Sequence, residues 1–571
     1  MSSASEVLAR KAKKESQNGQ PFLPGDLFQI KEAEMPDGSK IVTSVSIRHS
    51  GFLKLLRHLG FRRYDIQDHF LIVRIQNKII EQIPLHRLRD LIVRYFHALP
   101  DQVNGAPKEM LFEQLHRSLK TLTSDEKLAL LINFDEQDNA IEVMEDKIDR
   151  AYYYYKNGFV EVTKDSITLK PYRDLPALIW KDQILQREFR KITPAETRKG
   201  IYYRFFNNIA GNKVGEDGKD TDPERFMSLV TITGYNLHRF FDTKLKSTIL
   251  LDARISEDAE GRSGKSLHCK ALQQMLNSVP KMGKQCVILD GKNFDVLNRF
   301  RFDELDISTT LVVLDDVKKN LDLEEFFNGI VDGFVRERKS DANKIRVFSK
   351  LIFTLNYTLR VRGGSRKDRV IEFEIADHYS DTFSPEQDFG CWFFRDWDEE
   401  EYNRFDNFML SCVMDYLKVG IIKPEMINLN ARKLKDETAM EFILFMEDLQ
   451  IEHEKAYDKK DLWLKFMDMD DDNRPRNKDF SWLKQRFFTT WLTLFATYRP
   501  EIAGYATHRS NSRDYIRFFY DSPAHKDFLD GAVLFPGKSD RCKPTGGVVP
   551  AEQSDVITSP PSAIQDDKIP F

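Results

Sequence analysis

A short segment rich in glycine and serine, followed by a lysine and a further serine, is the part of this sequence best suited to chemistry. It fits a phosphate-binding loop that has alanine in place of the usual first glycine. Its residues are Ala259, Glu260, Gly261, Arg262, Ser263, Gly264, Lys265 and Ser266. Glycines let backbone N–H groups converge on a phosphate, and the N-terminus of a following helix adds positive potential. The pattern predicts that Lys265 reaches the β- and γ-phosphates of a nucleotide and that Ser266 holds Mg²⁺.

The elements that must position this loop lie on either side of it. Thr248–Asp252 is an apolar run that predicts a strand, and Leu267–Leu276 carries apolar residues at helical spacing. A phosphate-binding loop requires a strand, a loop and a helix in this order, whereas a chance loop of the same composition does not. We therefore predict nucleotide contacts from Ala259 to Leu267.

A second apolar segment ends in two carboxylates. Thr309–Asp316 has the pattern of a buried strand. A nucleotide site needs one acid near the metal and another group that polarises the attacking water. We assign Asp315 to the metal and Asp316 to the water, with a simple acidic turn as the alternative.

A third apolar segment, Lys350–Asn356, ends in an asparagine. The Asn356 amide could donate a hydrogen bond to the γ-phosphate or orient the water, although asparagine is also a common turn residue. Arg369 follows a glycine-rich turn and precedes the predicted strand Val370–Ile375. Its bidentate, permanently charged guanidinium suits the γ-phosphate bound by a neighbouring subunit. Arg366 is the runner-up, and either arginine could instead be a solvated surface charge.

This series of motifs resembles the ATPase core of superfamily 3 helicases, which are AAA+ ring motors of viruses, phages and plasmids. The likeness extends to the primase-helicases of phages and integrated mobile elements and to the helicase half of poxvirus-type primase-helicases. It covers about residues 245–420 and is strengthened by the segments 291–294, 374–379 and 394–398. The resemblance implies an α/β fold with an AAA+ P-loop core that binds ATP and Mg²⁺.

Two short predicted strands lie between the acidic segment and the asparagine segment. Phe334–Lys339 and Lys344–Val347 flank Ser340–Asn343, which has good turn chemistry. In superfamily 3 helicases a hairpin in this place lines the channel of the ring, so the resemblance implies contacts with the phosphates of single-stranded DNA. The predicted contacts are Lys339 and Lys344 at the tip, supported by Arg336, Arg338 and Arg346. An ordinary charged surface hairpin is the alternative.

Composition limits the class of protein. The 571 residues are 41% hydrophobic and 31% charged, with a net charge of −4, so any attraction to DNA must be local. No apolar stretch approaches the roughly 20 residues of a membrane span, and Met1–Gln20 lacks the apolar core of an export signal. We therefore expect a cytoplasmic protein with no membrane partner. The five cysteines are scattered, which argues against a zinc site or a disulfide framework.

Further segments are predicted around the ATPase core. They are a disordered tail at 1–20, an α+β domain at 21–180, a helical collar for oligomerisation at 181–244, the core at 245–420, a small helical or winged-helix-like domain at 421–520, and a disordered tail at 536–571. The run Tyr152–Tyr155 is expected in a core rather than stacked on bases. Asp135 and Asp138 lie in a polar segment and are expected at the surface, so we predict no primase site in this chain.

The function that the resemblance implies is that of an ATP-dependent DNA helicase in the replication of a phage or mobile element. We expect a homo-oligomeric ring, most simply a hexamer, with ATP sites between subunits and hairpins that move along single-stranded DNA. A primase or other replication proteins would act in trans. Two alternatives stay open: an AAA+ ATPase that remodels protein partners, for example in defence against phages, and a non-catalytic scaffold that binds ATP to assemble.

Overall fold

The structure is a computed structural model of the chain. It describes residues 24–67, 69–131, 141–212, 222–242, 245–253, 262–280, 282–318, 326, 329–330, 332–338, 341–356, 369–424, 427–468, 480, 482–520 and 532–534. Two compact units are present, Met1–Leu429 and Asn430–Phe571. The predicted tails and the carboxylates Asp135 and Asp138 lie outside the described residues.

Antiparallel hairpins and four helices make up the first part of the larger unit. The strands are β1 (Phe28–Glu34), β2 (Lys40–Ile47), β3 (Phe61–Ile66), β4 (His69–Gln76), β5 (Ile79–Gln82), β6 (Gln102–Val103) and β7 (Ala106–Pro107). The helices are α1 (His49–His58), α2 (Leu85–His97), α3 (Lys108–Leu122) and α4 (Asp125–Leu128). Apolar residues at helical spacing, such as Leu88, Ile92 and Phe96 of α2, are buried in one core.

Five strands and two helices follow in the chain. They are β8 (Arg150–Tyr155), β9 (Gly158–Thr163), β10 (Ile167–Lys170), β11 (Ile179–Trp180), β12 (Ile184–Leu185), α5 (Pro194–Thr197) and α6 (Ile201–Ala210). Alternate side chains of β8 enter two cores: Tyr152 and Tyr154 enter a small one, whereas Tyr153 and Tyr155 enter the largest. The largest core also contains Phe205 of α6. The largest core therefore contains residues from both sides of position 180.

A five-stranded parallel sheet forms the centre of the larger unit. The remaining elements of this unit are α7 (Pro223–Leu237), β13 (Ser247–Asp252), α8 (Lys265–Leu276), β14 (Cys286–Asp290), β15 (Leu311–Asp315), β16 (Phe334–Arg338), β17 (Asp341–Val347), β18 (Lys350–Leu355), β19 (Val370–Ile375), α9 (Pro385–Phe389) and α10 (Glu399–Val419). The central sheet has the strand order β14-β15-β18-β13-β19, with every pair parallel. The α/β class expected from the sequence is thus confirmed.

Both faces of the central sheet are covered, which explains why its strands are almost entirely apolar. Leu250 and Ile352 belong to the core that includes residues of α7, α8 and α10, whereas Ile249 and Phe353 belong to the core on the other face. Helices α7 and α10 approach closely at Gly234, where a Cβ atom would lie 2.1 Å from the carbonyl oxygen of Cys412. This close contact requires glycine.

The predicted basic hairpin is present between β15 and β18. Strands β16 and β17 pair antiparallel, with Phe334 opposite Val347 and an irregularity between Arg336 and Arg338. Strand β17 begins at Asp341, within the segment predicted as the turn. The pairing therefore extends further toward the tip than the turn residues indicated.

The smaller unit combines helices with an antiparallel sheet. Its elements are α11 (Leu429–Glu437), α12 (Met440–Asp448), β20 (Tyr457–Asp458), α13 (Lys459–Met467), α14 (Gln485–Tyr498), β21 (Gly504–Ser510), β22 (Arg513–Phe519) and β23 (Ala532–Leu534). Helix α12 ends at Asp448, and Gln450 and Glu454 after it take positive φ angles of 44° and 60°, which a continuing helix does not accommodate. Among the described residues, no helix is long and apolar enough to cross a membrane.

Candidate functional site

The carboxyl edge of the parallel sheet collects the residues predicted to do chemistry. Helix α8 begins at Lys265, directly after Gly264 with a φ of 102°. A Cβ atom at Gly264 would lie 2.9 Å from Ile209 Cγ2 and 3.1 Å from the ring of Phe205, so both the backbone angle and the packing call for glycine. Ala259, Glu260 and Gly261 lie outside the described residues.

Lys265 is buried at the N-terminus of α8, among polar side chains. Its Nζ forms an ion pair with Asp252 at the end of β13. It also lies 2.9 Å from Asn356 Oδ1 and 3.3 Å from Ser263 Oγ. The loop, strand β13 and the end of β18 therefore meet at one ammonium group, and Asn356 is one of its hydrogen-bond partners.

Asp315 accepts hydrogen bonds from two hydroxyl groups through a single oxygen. Ser266 Oγ lies 2.9 Å and Thr354 Oγ1 2.6 Å from Asp315 Oδ1. Ser266 and Asp315, the predicted metal ligands, are thus in direct contact. Within the described part of the chain, no three His, Cys, Asp or Glu side chains gather where they could hold a metal.

Asp316 has an unusual backbone conformation at the end of β15. Its φ is 57°, a left-handed value that is uncommon for a residue other than glycine. Its backbone N–H donates to Thr354 Oγ1 at 2.8 Å, and its carboxylate lies 2.6 Å from Lys292 Nζ. The hydrogen bond with Asp316 raises the pKa of Lys292. Such strained residues concentrate at functional sites, where the surroundings hold them in place.

Sequence reasoning missed Asp252, Thr354 and Lys292 as members of this site. In the sequence Asp252 marks the end of a strand, but a buried carboxylate also needs a partner, and Lys265 supplies one. Thr354 is a polar residue within an apolar strand that is buried throughout. That contrast was the available signal. Lys292 follows β14, and its pairing with Asp316 depends on which strands are neighbours.

Arg369 lies at the amino ends of the parallel strands, whereas the loop lies at their carboxyl ends. It directly precedes β19, is exposed, and its carbonyl oxygen accepts a hydrogen bond of 2.8 Å from Ser247 N at the start of β13. A six-residue strand spans roughly 20 Å, so Arg369 cannot reach the loop of its own chain. Arg366 lies outside the described residues.

The basic hairpin carries an acid that holds two of the nearby cations. Glu337 pairs with Lys344 Nζ at 2.7 Å and with Arg299 Nη2 at 2.9 Å. The hydrogen bond with Lys344 contributes most to lowering the pKa of Glu337. Both cations are more than half exposed, whereas the Glu337 side chain is largely covered.

The other hairpin residues predicted to contact DNA differ in their exposure and in their hydrogen-bond partners. Arg336 is 5% exposed, so the surface of the hairpin presents little of this side chain. Arg338 donates to the carbonyl oxygens of Asp303 and Leu305. Arg346 is exposed, and its backbone exchanges two hydrogen bonds of 3.2 Å with the Gln67 side chain. Lys339 lies outside the described residues.

Comparisons with known proteins add only distant structural likenesses. No family model matches the chain, and no curated protein matches it. The similar solved structures include the A form apo structure of the NrS-1 C-terminal region, with a TM-score of 0.36, 10% identity and coverage of 82% of this chain and 98% of that chain. A second apo structure of this region gives the same values, and a further A form structure gives a TM-score of 0.35 and 12% identity.

Proposed function

We propose that this protein is an ATP-dependent DNA helicase that forms a ring and serves the replication of a phage or mobile element. The observation that carries the proposal is the convergence of Lys265, Ser266, Asp315 and Asn356 at the carboxyl edge of one parallel sheet. Ligands of open α/β sheets bind at this edge. The family resemblance of the motifs supplies the class of motor.

The donor atoms at the site fit the two groups that the proposal requires. Ser266 and Asp315 offer hydroxyl and carboxylate oxygens in contact with each other, which suits a hard cation such as Mg²⁺. Lys265 and the N-terminus of α8 offer positive charge and N–H groups to phosphates. Mg²⁺ held by Ser266 and Asp315 would supply neutralisation of charge on the phosphate oxygens.

The protein's own groups would then divide the work of hydrolysis. Lys265 would exchange part of its contact with Asp252 for the phosphates. Asp316 would accept a proton from the attacking water, and Lys292, whose Nζ lies 2.6 Å from the carboxylate, would hold that carboxylate in position. Asn356 would orient the water or the terminal phosphate.

Two features support a ring that acts on single-stranded DNA. Arg369 is exposed and far from the loop of its own chain, so it can complete a site only in a neighbouring subunit. Lys344, Arg346 and Arg299 present exposed cations near the hairpin, and such groups attract phosphates without sequence preference. A hexamer is the simplest ring of this kind.

The test is ATP hydrolysis with and without single-stranded DNA, alongside mass measurement in the presence of nucleotide. We expect turnover that DNA stimulates, assembly into a ring, and loss of turnover in Lys265→Ala. Turnover that DNA does not affect would favour an ATPase that remodels proteins. Nucleotide binding with assembly but no turnover would favour a scaffold.

A further inference from the structure

Three aromatic rings are stacked beside the phosphate loop. Phe205 of α6 and Tyr379 lie 5.7 Å apart between ring centroids, with an angle of 21° between their planes. Tyr379 and Phe383 lie 5.9 Å apart with an angle of 25°. The first two rings are buried, whereas Phe383 is 39% exposed. The stack therefore runs from the core to the surface and ends in an open aromatic ring.

Both ends of this stack are connected to the loop. At one end, the ring of Phe205 packs against Gly264, so closely that a Cβ atom added to this glycine would lie 3.1 Å from the ring. At the other end, Arg262 Nη1 donates to the carbonyl oxygen of Asp381 at 3.2 Å, two residues before Phe383. The exposed ring is thus a neighbour of the same loop that would hold the phosphates.

The segment that carries Phe383 is anchored on both sides. Tyr379 OH donates to Asp388 Oδ2 at 2.8 Å and accepts from Asn208 Nδ2 at 2.8 Å. Ser380 N donates to the carbonyl oxygen of Phe383 at 3.0 Å, which closes the short loop. His378 lies 5.8 Å from the Phe383 ring at an angle of 59°. A flat ligand could therefore stack on the ring of Phe383, which Tyr379 supports from behind, and would have the ring of His378 beside it.

We propose that Phe383, with His378 beside it, stacks on the purine base of the nucleotide whose phosphates occupy the loop. The inference rests on the proposed function, because it places the base of the same ATP. A base is the flat part of a nucleotide and has two π-faces, so a fixed aromatic ring beside a phosphate site suits it. The phosphates would keep their contacts with Lys265 and Ser266, and the aromatic stack would supply affinity for the base alone.

Calorimetric titration with two probes separates base contacts from phosphate contacts. The probes are a non-hydrolysable ATP analogue and inorganic tripolyphosphate, each with Mg²⁺, and the full-length chain is used throughout. We expect Phe383→Ala to bind the ATP analogue roughly tenfold more weakly, a change of about 1.4 kcal/mol, and tripolyphosphate as well as the parent does. Phe383→Trp should retain binding of both. Phe348→Ala is the matched control, since Phe348 is 48% exposed and adjoins the start of β18 at the opposite edge of the sheet.

The outcomes distinguish this inference from the function on which it rests. Equal affinity of Phe383→Ala and the parent for the ATP analogue would overturn the base site. A loss of tripolyphosphate binding in both Phe383 variants would also overturn it, because the ring would then support the phosphate loop. Failure of the parent chain to bind either probe would contradict the nucleotide site itself.

Discussion

At the scale of single residues, one hydroxyl group joins the two acids of the candidate site. Thr354 Oγ1 donates to Asp315 Oδ1 and accepts from the backbone N–H of Asp316. Thr354 is 1% exposed, so no water can easily replace it. The hydroxyl therefore holds the carboxylate of Asp315, the predicted metal ligand, in place. It also holds the left-handed backbone of Asp316, the residue predicted to face the water.

Thr354→Val should lower ATP turnover while leaving the fold in place. Valine keeps the shape of threonine, but it leaves a buried N–H and a carboxylate without their partner, which costs roughly 1–3 kcal/mol. If that cost falls on the geometry of the site, kcat should drop by about tenfold or more, and the Mg²⁺ concentration needed for half-maximal turnover should rise. Thr354→Ser keeps the hydroxyl and should restore both values. A serine variant as impaired as the valine variant would show that packing, not the hydroxyl, matters.

His268 should make the protein sensitive to acid. It is buried in α8 with its Nδ1 2.9 Å from Tyr202 OH, and burial lowers its pKa from 6.5 to about 4. Between these two values the unfolded chain binds the proton and the folded chain does not, so stability falls as the pH drops from 6.5 toward 4. His268→Gln should reduce this loss in denaturant unfolding at several pH values, whereas Gln in place of the exposed His86 should not. Parallel curves for His268→Gln and the parent would contradict the assignment.

At the scale of elements, the basic hairpin holds its own counter-ion. Glu337 is paired with Lys344 and Arg299, so a DNA phosphate would compete with this carboxylate for both cations. Under the proposed function, the affinity for DNA would then be lower than the number of cations suggests. A lower affinity would help a helicase to release the strand as it moves. The hairpin sequence alone did not reveal this, since Arg299 comes from the segment after β14.

Changes at Glu337 and Lys344 should move DNA affinity in opposite directions. Lys344→Ala should weaken binding of single-stranded DNA and lower the slope of log affinity against log salt by about 0.7, the value for one phosphate contact. Glu337→Gln should strengthen binding, because the two cations lose their competitor. The measurement is fluorescence anisotropy across salt concentrations, with the exposed Lys164 in the β9–β10 turn changed to alanine as the control. Unchanged affinity in both hairpin variants would place the DNA path elsewhere.

Individual strands could be predicted from the sequence, but which strands lie next to each other in the sheet could not. The strands around 248–252, 309–316, 350–356 and 370–375 were evident from apolar runs, because both faces of this sheet are buried. The contacts of Asp252 with Lys265 and of Lys292 with Asp316 were not, since they depend on the order of strands in the sheet. The stack that ends in Phe383 joins residues more than 170 positions apart, so it could not be predicted from any local sequence pattern.

At the scale of the whole molecule, the position of Arg369 bears on assembly. A γ-phosphate in the loop of one chain is beyond the reach of the Arg369 of that chain, because the two lie at opposite edges of the sheet. If the arginine acts in catalysis, it acts on a neighbour. A single chain would then hold an incomplete site.

Mixed rings test this arrangement. Arg369→Ala and Lys265→Ala should each be inactive alone, whereas their mixture should recover part of the ATP turnover, because some interfaces combine an intact loop with an intact arginine. An arginine supplied in trans can contribute 10³-fold or more to turnover, so recovery should be measurable. Mass measurement must establish that mixed rings form. Mixed rings without recovery would exclude Arg369 from catalysis.

Strand separation is the most direct measurement of the central claim. A forked DNA duplex with one labelled strand would be incubated with the parent chain, Mg²⁺ and ATP, and with Asp316→Asn as the variant. The account predicts that the parent separates the strands only when ATP is hydrolysed, and that Asp316→Asn binds ATP but slows separation by about 10²-fold, as the loss of a general base does. A parent chain that forms rings and hydrolyses ATP but never separates the strands would contradict it.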